Sequence, residues 1–172
     1  VVEGSAAVDD DASLRDLDVT LHSANLWPLR DRYLSGLLGI AGLPELRLAG
    51  ALDARVQVAG GELHAFDATP HNVDIIDPST NKFAFRGLDG TVRFSRTAPV
   101  ESTLQWRDGR LYELEFGHAR LPMRSEGGAI ALTRAVSVPL LGGELRFDNM
   151  TLRPPADGKG ADAVFGLSVD HL

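Results

Sequence analysis

Apolar and polar residues alternate along most of this chain, and a period of two is typical of a half-buried β-strand. The clearest stretch runs from Leu46 to Val58, where apolar even positions alternate with Arg47, Asp53 and Arg55 among the odd positions. The same pattern predicts further strands over 14–21, 62–67, 73–77, 82–86, 88–96, 100–106, 112–116, 129–132, 136–138, 144–152 and 163–169.

Short segments containing Gly, Pro or Asp separate these strands, at the spacing of roughly 8–12 residues that is usual for all-β folds. Asp108–Gly109 has the composition of a tight hairpin turn and is predicted to be one. Long helices do not alternate with the strands, which disfavours a parallel sheet. The sequence therefore predicts a mainly β protein built as a long antiparallel meander.

One segment has helical periodicity and predicts a short helix over 28–38. Asn25 is suited to cap it, Pro28 is suited to its first turn, and Gly39 or Gly42 is suited to end it. Its apolar positions recur every three or four residues: Leu26, Leu29, Tyr33, Leu34, Leu37 and Leu38. This apolar stripe predicts that the helix lies on a hydrophobic surface.

The remaining organisation is simple. Residues 1–172 are predicted to form one β-rich domain, with 1–13 as a flexible leader because that stretch is small, acidic and contains Asp9, Asp10 and Asp11 in a row. The chain starts with Val1, so we expect it to be a piece of a longer protein.

Composition excludes several classes of function. The net charge of −7 and the pI of about 5.1 argue against binding to the nucleic-acid backbone. Because the chain has no cysteine, disulfides, thiolate metal sites and cysteine nucleophiles are excluded. No apolar run in the sequence approaches the ~20 residues of a membrane-spanning helix. We predict neither a metal nor a cofactor.

Catalytic motifs are weak. The five histidines are scattered, and no nucleotide-binding loop, metalloprotease motif or serine elbow is present in the sequence. Two pairs come nearest to an acid–base arrangement, His64 with Asp67 and Glu113 with Glu115. Each pair is more simply explained as part of the solvent-exposed side of a strand. The sequence therefore predicts a protein that is not an enzyme.

A family resemblance rests on five stretches. They are Tyr-Leu-Ser-Gly-Leu-Leu-Gly at 33–39, the Leu-x-Leu-x-Gly pattern at 46–50, Gly-Gly-Glu-Leu at 60–63, Phe-Arg-Gly-Leu-Asp-Gly-Thr-Val at 85–92, and Ala-Val-Ser-Val-Pro-Leu-Leu-Gly-Gly-Glu-Leu at 135–145. In these stretches the chain from residue 33 onward resembles the AsmA-like bacterial envelope proteins. The similarity is to their YdbH-type branch, whose C-terminal region is named a dicarboxylate transport domain.

This resemblance implies a curved, groove-like, taco-shaped sheet that carries phospholipid through the periplasm in a protein anchored at the inner membrane. The implied ligand is a phospholipid or another acyl chain, envelope proteins are possible partners, and no catalytic residue is implied. The candidate groove-lining residues are Leu46, Leu48, Leu52, Val56, Val58, Val92, Phe94, Leu104 and Trp106. The candidate groove-capping residues, on the predicted helix, are Leu29, Tyr33, Leu34, Leu37 and Leu38.

Two other interpretations remain open. The same apolar residues can fill the core of a closed β-sandwich that acts as a structural or adaptor module and binds a protein partner. Alternatively, a dicarboxylate ligand requires arginines, such as Arg86 and Arg93, to converge on a small polar pocket. An exposed apolar concavity would distinguish the groove from the closed sandwich.

Overall fold

The computed structural model describes residues 1–8, 14–29, 46–78, 82–153 and 162–170. These residues form one antiparallel sheet of thirteen strands and one helical turn, α1 (Trp27–Leu29). The strands are β1 (Val2–Val8), β2 (Leu14–Ser23), β3 (Arg47–Ala59), β4 (Glu62–Ile76), β5 (Phe83–Ser95), β6 (Val100–Trp106), β7 (Asp108–Leu111), β8 (Leu114–Phe116), β9 (Ala119–Glu126), β10 (Ala129–Leu132), β11 (Val136–Leu140), β12 (Gly143–Arg153) and β13 (Asp162–Asp170). The predicted mainly β, antiparallel fold is confirmed.

The register shows that several of the short strands are halves of longer ones. Against β5, Gly90 pairs with Leu104 of β6 and Phe83 pairs with Leu111 of β7, which is one unbroken register. β6 and β7 therefore act as a single long strand beside β5, interrupted locally at Arg107.

The next two strands are divided in the same way. β8 continues the register of β9 against the β6–β7 strand. β10 and β11 both pair with β12 and differ by a shift of one residue between them. In the described part of the chain the sheet is thus a meander of ten long strands, each paired with its neighbours in sequence.

Successive connections of an antiparallel meander lie at alternate ends of the sheet. One end, which we call the glycine end, carries the turns Gly60–Gly61 and Gly127–Gly128 and the connection 96–99. The other, which we call the tyrosine end, carries α1, the β4–β5 connection, and the turns Tyr112–Glu113 and Leu141–Gly142. The two ends therefore have different compositions.

The predicted flexible leader is wrong over residues 2–8, which form β1 and pair with β2, while residues 9–13 lie outside the described residues. The reason is the small size of the β1 side chains. Gly4 lies opposite Val19, and an added Cβ there would come within 2.6 Å of the Asp18 carbonyl oxygen. Small residues on β1 therefore allow close packing against the bulkier β2.

The predicted hairpin turn at Asp108–Gly109 is also wrong. These two residues lie inside β7, and the chain reverses four residues later, at Tyr112–Glu113. Gly109 is required for a different reason, because the ring of Phe116 on the adjacent strand occupies the space where a side chain would stand.

The sheet is curved around β6. Cα atoms of β5 and β9 approach within 8 Å of each other although β6 lies between them. In a flat sheet, strands separated by one neighbour would be about 9.4 Å apart. Gly90 of β5 also lies close to β6, because an added Cβ would collide with the carbonyl oxygen of Thr103.

Candidate functional site

The apolar side chains lie on one face of the sheet. Residues directly opposite each other in an antiparallel pair share a face, and Val56 of β3 lies opposite Phe66 of β4, which lies opposite Phe94 of β5. Farther along, Leu104 of β6 lies opposite Leu121 of β9. We call this side, which is apolar from β2 to β13, the apolar face.

All nine predicted lining residues lie on or at the apolar face. Leu46 directly precedes β3 and packs with Leu48 in the apolar cluster. The remaining seven follow the alternation of β3, β5 and β6: Leu52, Val56, Val58, Val92, Phe94, Leu104 and Trp106. Leu46, Leu48, Phe94 and Trp106 are buried, whereas the other five are half-buried. Their role in lining a lipid groove stays a prediction.

An aromatic cluster that the sequence analysis did not single out lies on the same face. Phe85, Trp106 and Phe116 contact one another, with ring centroids 5.4–6.0 Å apart in edge-on or tilted arrangements. Aromatic pairs prefer such geometries over face-to-face stacking. The Trp106 Nε1–H donates a hydrogen bond to the Gly117 carbonyl oxygen at 3.0 Å, so the indole exposes only carbon to the face.

A backbone irregularity explains why this cluster was missed. Gly87 has a φ of +62°. Phe85 before it and Leu88 after it both belong to the apolar cluster, although one is at an odd position and the other at an even position. A simple alternation through β5 would have placed them on opposite faces.

The predicted capping helix is described only at its start. Asn25 Oδ1 accepts a hydrogen bond from the Trp27 backbone N–H at 3.0 Å, which is the cap that the sequence predicted. Leu26 is buried in the apolar cluster, and its backbone N–H donates to the Gly50 carbonyl oxygen. Leu29 ends the described helical turn, while Tyr33, Leu34, Leu37 and Leu38 lie outside the described residues, so the capping role stays a prediction.

The opposite face, which we call the polar face, carries cross-strand ion pairs. Arg55 of β3 makes two hydrogen bonds to Asp18 of β2, at 2.9 and 2.7 Å, and Gln57 adds a third. These bonds, chiefly those from Arg55, lower the pKa of the Asp18 carboxyl to about 2. Arg93 likewise pairs with Asp67 across β4 and β5.

Asp53 also bonds to side chains of neighbouring strands on the polar face. It lies between two histidines of the neighbouring strands, with His22 Nδ1 at 2.9 Å from one carboxylate oxygen and His71 Nε2 at 3.2 Å from the other. The hydrogen bond with His22, followed by that with His71, lowers the pKa of Asp53. The charged groups are therefore paired with each other on the polar face.

The buried serine hydroxyls on the apolar face form their hydrogen bonds within the protein. Ser102 and Ser125 are buried there, and the hydroxyl of each accepts a hydrogen bond from one backbone N–H of β5 and donates to the carbonyl oxygen of the same residue. The residues concerned are Arg93 for Ser102 and Ser95 for Ser125. A guest on this face would meet hydrocarbon at these two positions and not an unpaired polar group.

The arginines of the dicarboxylate interpretation do not form a shared site. Arg86 pairs with Asp108 at 2.8 Å and Arg93 pairs with Asp67 at 2.8 Å. The two arginines are seven residues apart on the same strand, about 23 Å at the usual rise of a strand. Each guanidinium thus has its own carboxylate, and the geometry does not favour a convergent anion pocket.

Among the described residues, no group of three or more His, Asp or Glu side chains has the arrangement of a metal site. In the same part of the chain, the helical segments lack the length and hydrophobicity needed to span a membrane. Comparison with protein-family models, curated proteins and solved structures found no match in any of the three.

Proposed function

We propose that the apolar face binds acyl chains and that the chain is a non-catalytic, lipid-binding groove segment of a bacterial intermembrane phospholipid transport protein. One observation carries the proposal: a single hydrophobic face extends over a ten-strand sheet, and the described strands provide no second sheet to cover it. The close approach of β5 and β9 shows that the sheet bearing this face is bent around β6.

Physical chemistry supports such a role. Moving an acyl chain through water costs about 0.8 kcal/mol per CH₂ group, so a diacyl lipid needs a continuous hydrophobic surface. Half-buried side chains such as Leu52, Val56, Val92 and Leu104 still have apolar area to offer. The charged residues of the polar face are paired with each other and do not interrupt this surface.

The setting of this function is part of the proposal. We place the chain in the periplasm, as a section of a protein anchored in the inner membrane, with phospholipid as ligand and envelope proteins as possible partners. The support is the sequence resemblance to AsmA-like envelope proteins. The adaptor alternative requires two sheets packed face to face, whereas the described strands belong to one sheet.

The experiment has two parts. Native mass spectrometry of protein purified from bacterial cells should show added masses that match phospholipids. In a Trp27→Phe background, Trp106 is the sole tryptophan, and phospholipid with brominated acyl chains should quench its fluorescence because its indole lies on the apolar face. Clean apoprotein in the first part, together with unquenched fluorescence in the second, would overturn the proposal.

A matched pair of variants tests the face itself. Leu104→Asn places an amide on the apolar face and should weaken lipid binding about tenfold. Gln105→Asn changes the next residue, on the polar face, and should leave lipid binding unchanged. Equal lipid binding by both variants, with thermal unfolding showing that both are folded, would contradict the assignment of the face.

A further inference from the structure

We propose that the tyrosine end of the sheet is a docking surface for a lipid bilayer, formed by Leu111, Tyr112, Leu114 and Leu141 at two hairpin tips. This inference extends the proposed function, because it identifies where lipid would enter or leave the apolar face. It rests on the exposure, backbone conformation and position of these four residues.

The four side chains are unusually exposed for their hydrophobicity. The exposed fractions are 48% for Leu111, 60% for Tyr112, 44% for Leu114 and 64% for Leu141. The two tips lie close together, because β8 pairs with β11 through Phe116 and Leu140. We call these four residues the tip patch.

The backbone conformation at the two hairpin tips is unusual for the residues of the tip patch. Tyr112 and Leu141 have φ values of +52° and +50°, in the left-handed region that large side chains seldom occupy. Two-residue hairpin turns usually place Asn, Asp or Gly at such positions. The sequence instead has a large apolar side chain at both tips. The positive φ values lower the stability of the fold, and side chains this exposed gain little packing energy in return.

The glycine end provides the internal comparison. Its two-residue turns are Gly60–Gly61 and Gly127–Gly128, which have the same positive φ values but no side chains. None of the exposed large hydrophobic residues in the described part of the chain lies in a connection at that end. At the tyrosine end, Trp27 of α1 is also 49% exposed. The apolar tips are therefore a property of one end and not of hairpins in general.

The chemistry of the tip patch fits a bilayer. Tyr and Trp are enriched at membrane–water interfaces, where their rings are apolar and their polar atoms remain wet. The described charged residues in the connections at this end are Asp77, Lys82 and Glu113, one base against two acids. Insertion should therefore depend on hydrophobic contact and not on anionic headgroups.

The tip patch is continuous with the apolar face. Leu111 lies opposite Phe83 of β5, which packs against the apolar cluster, and Leu114 begins β8, two residues before Phe116. The Tyr112 backbone N–H donates to the Lys82 carbonyl oxygen, which fixes the tip against the β4–β5 connection. A bilayer held at this end would thus meet the edge of the hydrophobic face.

The test is cosedimentation of the chain with phosphatidylcholine vesicles, with and without phosphatidylglycerol, at low and high salt. The chain should bind both kinds of vesicle with little dependence on salt. The double variant Tyr112→Asn, Leu141→Asn should weaken binding by about tenfold or more, because it removes two large apolar groups. Asn adopts the left-handed conformation more easily than Tyr or Leu, so this variant should fold at least as well as the wild type.

The matched control is Gly60→Asn, Gly127→Asn, which places the same side chain at the same backbone conformation at the other end, where nothing lies within 4 Å of an added Cβ. It should bind vesicles like the wild type. Absence of wild-type binding to either vesicle, or equal binding by the tip variant, would overturn the proposal. A wild-type dimer in sedimentation velocity that the tip variant abolishes, with no vesicle binding, would assign the tip patch to protein contact.

This result is separable from that of the lipid-binding experiment. A chain that carries phospholipid in native mass spectrometry but does not bind vesicles would overturn bilayer docking and leave the groove intact. A chain that binds vesicles through the tip patch and contains no lipid would overturn the groove and leave bilayer docking intact.

Discussion

The ring of Phe116 lies over Gly109, its direct partner on the adjacent strand. An added Cβ at Gly109 would collide with that ring and would come within 2.8 Å of the Ala84 carbonyl oxygen. The glycine therefore makes room for one member of the aromatic cluster, and the cluster fixes one region of the apolar face.

Gly109→Ala should accordingly lower the free energy of unfolding by roughly 1–3 kcal/mol, the usual range for an overpacked core. Urea denaturation measures this change. In the double variant with Phe116→Leu, the loss caused by the alanine should be smaller, because a smaller side chain then occupies the space. Strictly additive effects would show that Phe116 is not what excludes the methyl group.

Two other glycines should differ in how well they tolerate a side chain. Gly90 has a φ of +119° and Gly60 a φ of +59°, and an added Cβ collides with the Thr103 carbonyl oxygen at Gly90 but meets nothing within 4 Å at Gly60. Gly60→Ala should cost about 1 kcal/mol through strain alone, and Gly90→Ala should cost clearly more. Thermal unfolding of the two variants measures the difference, and similar losses would contradict a close approach of β5 and β6.

Asp18 should titrate with a pKa of about 2, below its ordinary value of 3.8, because of its bonds to Arg55 and Gln57. A lowered folded-state pKa means that the carboxylate stabilises the fold above the unfolded value and that this stabilisation is lost as pH falls towards 2. NMR titration of the carboxyl carbon measures the midpoint. Arg55→Met should move it towards 3.8, and an unchanged midpoint would show that Arg55 is not the cause.

The hydroxyl groups of buried serines should contribute more to the free energy of unfolding than those of exposed serines. Ser125 is fully buried and satisfies both the N–H and the carbonyl oxygen of Ser95. Ser125→Ala should lower the free energy of unfolding by roughly 1–3 kcal/mol, since buried backbone groups lose their partner. Ser168, whose hydroxyl donates to the exposed Asp148, is the control, and Ser168→Ala should change stability little. Equal effects of the two variants on chemical denaturation would refute the assignment.

Much of the fold could be predicted because alternation is a direct consequence of strand geometry. The pattern in β3 placed Leu48, Leu52 and Val56 on one side, and the register confirms that they share a face. What the pattern could not show was the effect of interruptions. Gly87 changes which positions of β5 face the apolar side, so Phe85 escaped notice.

Two other differences have physical causes as well. Residues 4–7 are all small, so the stretch resembles a leader, yet Gly4 among them is what allows β1 to pack closely on β2. Asp108–Gly109 has the composition of a turn, but the space above Gly109 belongs to Phe116. In both places the deciding contact comes from another strand, which local sequence does not contain.

The short turns of the meander have a consequence for how the protein folds. Because each of the ten long strands pairs with its neighbours in sequence, closing the hairpins that have two-residue turns requires only a small loss of chain entropy. The contact order is therefore low for an all-β protein, and folding should be fast by the standards of that class. Because the backbone hydrogen bonds of each long strand go to its neighbours in sequence, the outer strands should open before the central strands, which also share the apolar cluster.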